Sequence, residues 1–427
     1  MRLILIEGAP EKRANFYPLA LSRPLWELRC GMTSLGEKLV AKTGARDVAG
    51  FVPEYMVEVV KARTNWKIND ESALVGDDLL VVSARLKAAE FNVSAAGKAE
   101  VGVAGDGEVM YARVPKAELG KLRTCCPDSF LESAKAALPN VPCTLPAYNY
   151  IWDLILAGPR QIADDFKAAG KSGIEGTVEQ PNAIRGDKKN VFVGPGALIH
   201  PMVVLDAANG PIYLDEGVEV HPFSRIEGPC FVGAKSILLG AKCREGNSIG
   251  PMCRVGGEVE ESIIQGYSNK YHDGFLGHAY VGEWVNLGAL TSNSDLKNDY
   301  GSVSVVMDGK TPIDTGSTKV GSLIGDHTKT SIATLFNTGS YVGAMCLIMA
   351  TGKPLAKFIP SFAWLLDGLV TKGFGKGKLY QTAKAAMSRR KCQWTGADEK
   401  MWDAVFELTA GPRDELIKKG RKAMLGK

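Results

Sequence analysis

The sequence predicts an α/β domain, then a left-handed parallel β-helix, then a helical and basic C-terminal tail. Three observations carry this reading. Medium-sized apolar residues recur at six-residue spacing through much of the second half of the 427-residue chain. Short aliphatic runs alternate with helix-like stretches in the first 169 residues. Charge is uneven: residues 351–427 hold 16 Lys and Arg against 7 Asp and Glu, in a chain whose formal net charge is only +4.

The α/β domain is assigned to residues 1–169. Leu3-Ile4-Leu5-Ile6 and Leu79-Leu80-Val81-Val82 are short apolar runs rich in branched residues and read as buried strands. Thr33 to Lys42, Glu54 to Arg63 and Asp153 to Ala169 carry helical patterning. Strands alternating with helices predict a sandwich built on a mostly parallel sheet. Residues 170–183 open with Gly170-Lys171-Ser172-Gly173 and are rich in Gly and charge, which predicts a linker.

The β-helix is assigned to residues 184–350. Val193, Ile199 and Leu205 are six apart, as are Leu214, Val220, Ile226, Val232 and Leu238, and then Ile249 and Val255. Ile324, Thr330, Phe336, Val342 and Ile348 resume the spacing. Each six-residue unit supplies one flat strand and one tight corner, and three units close a triangular coil. Glycine gives the corners backbone angles that a Cβ would obstruct. Hexapeptide solenoids are a known repeat class, and period-two alternation, which an ordinary sandwich would need, is missing. Between Thr291 and Thr318 the rhythm stops, with a polar run from Ser292 to Tyr300 and a short strand expected at Val303 to Val306. Insertions of this sort project from one face of a solenoid and often bind ligands.

In the tail, 351–427, Leu379 to Lys391 and Asp398 to Leu408 read as amphipathic helices. Its positive surplus suits an anionic ligand or partner, or else a solvated helical face. Composition, at 45% hydrophobic and 23% charged, fits a globular chain with true cores. Nine cysteines without a C-x-x-C pair point to a reducing cytoplasm. The first apolar run is too short for a signal peptide, and no stretch of ~18 apolar residues exists to span a membrane.

Two strings carry a resemblance. Gly266-Tyr267-Ser268-Asn269-Lys270-Tyr271-His272-Asp273-Gly274-Phe275-Leu276-Gly277-His278 is followed by Val281-Gly282-Glu283-Trp284-Val285-Asn286-Leu287-Gly288-Ala289. They resemble the acetyltransferase half of the bifunctional N-acetylglucosamine-1-phosphate uridylyltransferase/glucosamine-1-phosphate acetyltransferase family. The Asn293-Ser294-Asp295-Leu296-Lys297-Asn298 string and Gly325 to Thr330 are closer still to an alternative bacterial branch, a sugar nucleotidyltransferase-like domain fused to a left-handed β-helix.

The resemblance implies a general base at His272, which suits an amine that must lose a proton as it attacks a thioester. It implies sugar contacts from Asn286 and from Phe275, which stands in place of a Tyr, with Lys270 beside the base. The family's phosphate-binding Arg is replaced by Gly256, with Arg254 nearby. Asn293, Asp295 and Lys297 are candidates to hold the acceptor, or to be a solvated loop. Arg389, Arg390 and Lys391 are candidates for the phosphates of an acyl-CoA donor such as acetyl-CoA. His200 and His221, each before Pro at a solenoid corner, read as structural, while His278 and His327 stay open.

For the N-terminal domain the resemblance implies a phosphate-cradling loop after the first strand. Here that loop is Glu7-Gly8-Ala9-Pro10-Glu11-Lys12-Arg13, so Gly8, Arg13 and Arg23 are the nucleotide-binding candidates. The loop keeps one Gly and a Pro that cannot donate. The family's first Mg²⁺-binding Asp corresponds to Val82-Ser83-Ala84-Arg85, which has no carboxylate, leaving Asp153 as the metal candidate or as a helix first-turn acid.

The expected enzyme is a sugar-nucleotide transferase. It would transfer an acyl group to an amino-sugar phosphate at the β-helix, with nucleotidyl transfer to a sugar-1-phosphate at the N-terminal domain if Mg²⁺ binds. Nucleotidyl transfer alone, with the β-helix as an oligomerisation platform, and a non-catalytic binding scaffold are the alternatives. Expected partners are small molecules and two further copies in a homotrimer, not nucleic acid or a membrane span.

Overall fold

The computed structural model describes residues 1–426. They form two compact units. The first holds most of residues 1–150. The second holds 151 onward together with Tyr17–Leu21 and Arg29–Met32. Among the described residues no helix is long and apolar enough to cross a membrane.

The first unit is built on a seven-stranded sheet of β1 (Arg2–Ile6), β2 (Asp47–Gly50), β3 (Lys67–Ile68), β4 (Leu79–Ser83), β5 (Glu100–Val103), β6 (Val109–Val114) and β7 (Asn140–Pro142). Their order is β3-β2-β1-β4-β6-β5-β7. The first four run parallel, and β6 turns the sheet antiparallel against β4. The sheet is therefore mixed, because β4 and β6 pair directly without a crossover helix. Every residue of β1 and β4 is buried, as their unbroken aliphatic runs require. Helix α1 (Leu35–Thr43) begins in a Ser34/Glu37 capping box and ends at Gly44 in the left-handed region. Helices α2 (Val57–Arg63) and α3 (Pro127–Ala137) also belong to this unit, α3 opening on a proline at its first position.

Helix α4 (Ile151–Ala169) was expected to close the α/β domain but belongs to the second unit. The reason is a column of outward aromatic residues, Phe192, Tyr213 and Phe231, in register on three successive coils. Ile162 and Phe166 of α4 pack against them.

The β-helix is longer than the six-residue pattern suggested. The expected linker already forms its first coil: Gly173–Ile174 and Thr177–Val178 pair in parallel with Phe192–Val193 and Leu198–Ile199. At the far end, Phe358–Ile359 and Trp364–Leu366 continue past residue 350, and Leu369–Thr371 folds back antiparallel as a stop. Val193, Ile199, Leu205, Leu214, Val220, Ile226, Val232, Leu238, Ile249, Val255, Ile324, Phe336, Val342 and Ile348 all lie in one buried core. Each points into the prism that the repeat demands. Inside the insertion, Ser304–Val306 pairs antiparallel with Pro312–Asp314.

Glycine accounts for only some corners. Met252, Tyr267, Trp284, His327, Met345 and Phe362 also take positive φ, between 54° and 61°. Three of these side chains make a ladder, Tyr267 stacked on Trp284 at 4.5 Å and Trp284 on His327 at 6.1 Å. Three C-terminal helices, α5 (Gly375–Ser388), α6 (Gly396–Leu408) and α7 (Ala410–Met424), follow. Trp394 and Trp402 meet His327 edge-on, and Phe406 meets Phe362 likewise. Corner strain of about 1–2 kcal/mol per residue is thus offset by aromatic packing that also docks the tail.

Candidate functional site

One wall of the β-helix carries a polar column. Arg254, Asn269, Asn286 and Lys329 share a rung on four successive coils. Each stands two residues past a positive-φ corner, at Met252, Tyr267, Trp284 and His327 respectively. Asn269 Nδ2 donates to Asn286 Oδ1 at 3.2 Å, and Arg390 Nη2 donates to Asn269 Oδ1 at 3.0 Å. Lys329 Nζ donates to the carbonyls of Trp284 and His327. Burial pulls its ammonium down to about 7.

The last turn of α5 and the residues just past it cover this column and leave a cavity of about 310 Å³. Asn269, Asn286 and Lys329 line one side, Arg389 and Arg390 the other, with Tyr267 and Trp284 adding an aromatic edge. Amides can exchange hydrogen bonds with sugar hydroxyls, cations can take phosphate oxygens, and the stacked rings offer a flat apolar surface. Cations at a helix C-terminus are also favoured by its dipole.

Of the residues expected here, Asn286, Arg389 and Arg390 line the cavity. His272 is exposed at the corner three residues beyond Asn269. Lys270 is buried inside the prism, its Nζ donating to the carbonyls of Gly256 (2.9 Å) and His272 (2.8 Å), and burial lowers it to about 8. It ties down the His272 corner and does not reach for substrate. Phe275 is half-buried, its N–H donating to Ser292 Oγ.

The expected acceptor loop is mostly structural. Asn293 is buried and clamps one peptide, accepting from the Gly277 N–H and donating to its carbonyl, both at 2.9 Å. Asp295 accepts from His278 Nδ1 at 2.8 Å, and His278 Nε2 lies 3.3 Å from Glu261. Burial opposes charge on this imidazole, but its bonds to Asp295 and Glu261 outweigh that and hold it up at about 9. Lys297 pairs with Asp299 at 3.2 Å. Within this polar run Asn293 and Asp295 thus satisfy buried groups, while Asn298, Asp299 and Tyr300 meet solvent.

The N-terminal candidates fare worse. Arg13 and Arg23 are 4% and 1% exposed. Arg13 Nε pairs with Glu7 at 2.6 Å, and Glu7 also accepts from the Leu25 N–H. Gly8 has φ +75°, and a Cβ there would fall 2.7 Å from the Glu108 carboxylate. That carboxylate is ion-paired with Arg85, which is buried at the end of β4. A loop facing a carboxylate does not attract phosphate. Mg²⁺ wants one or two carboxylates, and the two beside Gly8, Glu7 and Glu108, are already ion-paired with Arg13 and Arg85. Where the family has an Asp this chain has Ser83 and Arg85, and among the described residues the clusters of three or more metal-ligating side chains lie outside this unit. Asp153 sits in the first turn of α4 and joins none of them.

Residues 3–172 match the family described as sugar nucleotidyl transferase. The bifunctional protein GlmU of Polaromonas naphthalenivorans is 34% identical over 116 residues, 27% of this chain and 21% of that protein. The family match thus covers the first 170 residues or so, ahead of the β-helix. GlmU of Rippkaea orientalis is 34% identical over 125 residues, covering 28% of this chain and 25% of its own. A bifunctional sugar-1-phosphate nucleotidylyltransferase/acetyltransferase of Sulfurisphaera tokodaii is 36% identical over 91 residues, 21% of this chain and 22% of that one. The chain spans about a fifth to a quarter of the length of these curated relatives. A solved Arabidopsis UDP-N-acetylglucosamine acyltransferase covers 58% of this chain and 94% of its own. Its TM-score of 0.20 and 13% identity are too loose to bear on function.

Asn269, Lys329, Arg389 and Arg390 surround Asn286, and of these the sequence pointed to Arg389 and Arg390 but not to Asn269 or Lys329. The signal was present in the repeat: each wall residue immediately precedes an inward position, as Asn269 precedes Lys270 and Lys329 precedes Thr330.

Proposed function

We propose that this protein transfers an acyl group from an acyl-CoA, acetyl-CoA in the simplest case, to the amine of an amino-sugar phosphate at the β-helix. The observation that carries the proposal is the cavity in which Asn286, the position given to sugar contact by the family resemblance, meets Asn269, Lys329 and Arg390. The amides would orient the sugar, and the cations would hold its phosphate or the phosphates of the donor. His272 would take the proton from the attacking nitrogen, so that the amine lone pair forms the new bond to the thioester carbonyl and the thiol leaves. Backbone N–H groups would steady the oxyanion between those events.

The reading carries two further expectations, a homotrimer and a reducing cytoplasm; the nine free cysteines support the second. Nucleotidyl transfer is the weaker reading, because Arg13 and Arg85 are ion-paired with Glu7 and Glu108, the two carboxylates beside Gly8.

Thiol release from acetyl-CoA with a panel of amino-sugar phosphates is the direct test. Wild-type protein should release free thiol with at least one acceptor, and His272→Ala should lower kcat by about 10²–10⁴-fold. No release with any acceptor, or an unchanged rate in His272→Ala, would sink the assignment.

A further inference from the structure

His200 and His221 precede prolines at solenoid corners, where a histidine is ordinarily structural. Their surroundings say otherwise. Val178, Ile199 and Val220 are in register on three successive coils, so Glu179, His200 and His221 form a column on the outer wall. Glu219 flanks the inward Val220 and reaches the same surface. His200 Nε2 lies 3.1 Å from Glu219 Oε1, and His221 Nε2 lies 3.3 Å from that same oxygen. The two rings are 5.0 Å apart.

We propose that His200 Nε2, His221 Nε2 and Glu219 Oε1 bind a divalent transition-metal ion of the Zn²⁺ class, with the fourth position open to water. Three features of the geometry support this. First, a tetrahedral ion bound at roughly 2.0–2.1 Å holds neighbouring ligand atoms about 3.4 Å apart, close to the spacings from both imidazoles to the carboxylate. Second, His200 Nδ1 sits 3.2 Å from Glu179 Oε2. That outer carboxylate fixes the tautomer in which Nδ1 carries the proton and the Nε2 lone pair faces the ion, a support common to metal-bound histidines. Third, the rigid ladder of the β-helix presets the three donors, with side-chain exposures of 25% for His200, 31% for His221 and 36% for Glu219 leaving room for a solvent ligand.

Two imidazoles and one carboxylate select Zn²⁺, Co²⁺ or Ni²⁺ over Mg²⁺ and Ca²⁺, which prefer oxygen throughout. The second His/carboxylate group in the chain, Glu260, Glu261 and His278, does not compete. Glu260 is already bound by Arg244 and Lys319, and His278 lies between Asp295 and Glu261. The proposal is independent of the acyl-transfer reading.

The test uses untagged, full-length protein stripped with a chelator. Calorimetric titration should show one equivalent of Zn²⁺ and no heat of binding for Mg²⁺. Co²⁺ loading should give the visible absorption of a four- or five-coordinate nitrogen–oxygen site, without a thiolate charge-transfer band. His200→Ala/His221→Ala should abolish that equivalent with an unchanged circular dichroism spectrum. Glu179→Gln should retain the stoichiometry and weaken binding about 10–100-fold. Undiminished uptake by the double variant, or a thiolate band showing that cysteines hold the metal, would overturn the assignment.

Discussion

Arg13 and Arg23 in the N-terminal unit stand where the family resemblance places a nucleotide's phosphates, and Lys329, Arg389 and Arg390 stand on the β-helix beside Asn286, yet the two groups are used differently. The first pair is almost wholly buried, and Arg13 neutralises Glu7, whose carboxyl is pushed up by burial while Arg13 pulls against that shift. The second group lines a cavity. Position in a motif thus says where a cation is, and burial says whether it is free to meet a ligand.

This contrast can be broken most sharply at Arg13. Arg13→Met would leave the Glu7 carboxylate buried without its partner, which costs about 3–5 kcal/mol. Chemical denaturation should show that loss. Arg390→Ala should change stability by no more than about 0.5 kcal/mol, yet raise KM for the acceptor roughly tenfold, or about 1.4 kcal/mol. If Arg13→Met were as stable as wild type and lost only nucleotide affinity, the N-terminal loop would be a working phosphate site and the distinction would collapse.

The fold was legible where one physical demand recurs. Every turn of the prism needs a medium-sized inward residue, so Val193 through Ile348 declared themselves by spacing alone. The ends of the solenoid did not: the first coil, around Ile174 and Val178, is open on one side, and its strands need less apolar content to pair. Helices α3 and α7 were also missed, α7 because nearly half of its residues are charged and few are apolar. The candidate site was legible at Asn286, through a motif. Asn269 and Lys329 were not, because their proximity depends on coils of unequal length bringing residues 17 and 43 apart onto one rung. Asn293 and Asp295 misled for the opposite reason, since polar residues in a broken repeat look solvated until their backbone and His278 partners are seen.

His278 sharpens the comparison by placing a buried charge in the β-helix itself. Its folded pKa, about 9, lies above the ordinary value of 6.5. A raised base stabilises the fold fully below the unfolded pKa and loses that contribution as pH rises through the folded one. Thermal stability should therefore fall between about pH 6.5 and 9, by on the order of 3 kcal/mol. His278→Asn should be less stable at pH 6 and lack that slope. A wild-type melting temperature that stays flat across the window would mean that the imidazole is neutral in the fold.

The smallest effect concerns the corners that hold the site. Trp284 and Phe223 both adopt φ near +60°, but Trp284 stacks on Tyr267 and His327 while Phe223 is 76% exposed. Both bear the left-handed backbone penalty, and only Trp284 offsets it with contacts. Asparagine tolerates this conformation better than an aromatic residue does. Phe223→Asn should therefore raise stability by about 0.5 kcal/mol, whereas Trp284→Asn should lower it by about 1–2 kcal/mol through loss of the ladder. Parallel thermal melts of the two variants separate strain from packing. If both substitutions destabilise equally, the bare corner at Phe223 is covered in solution, as an interface between copies of this chain would cover it.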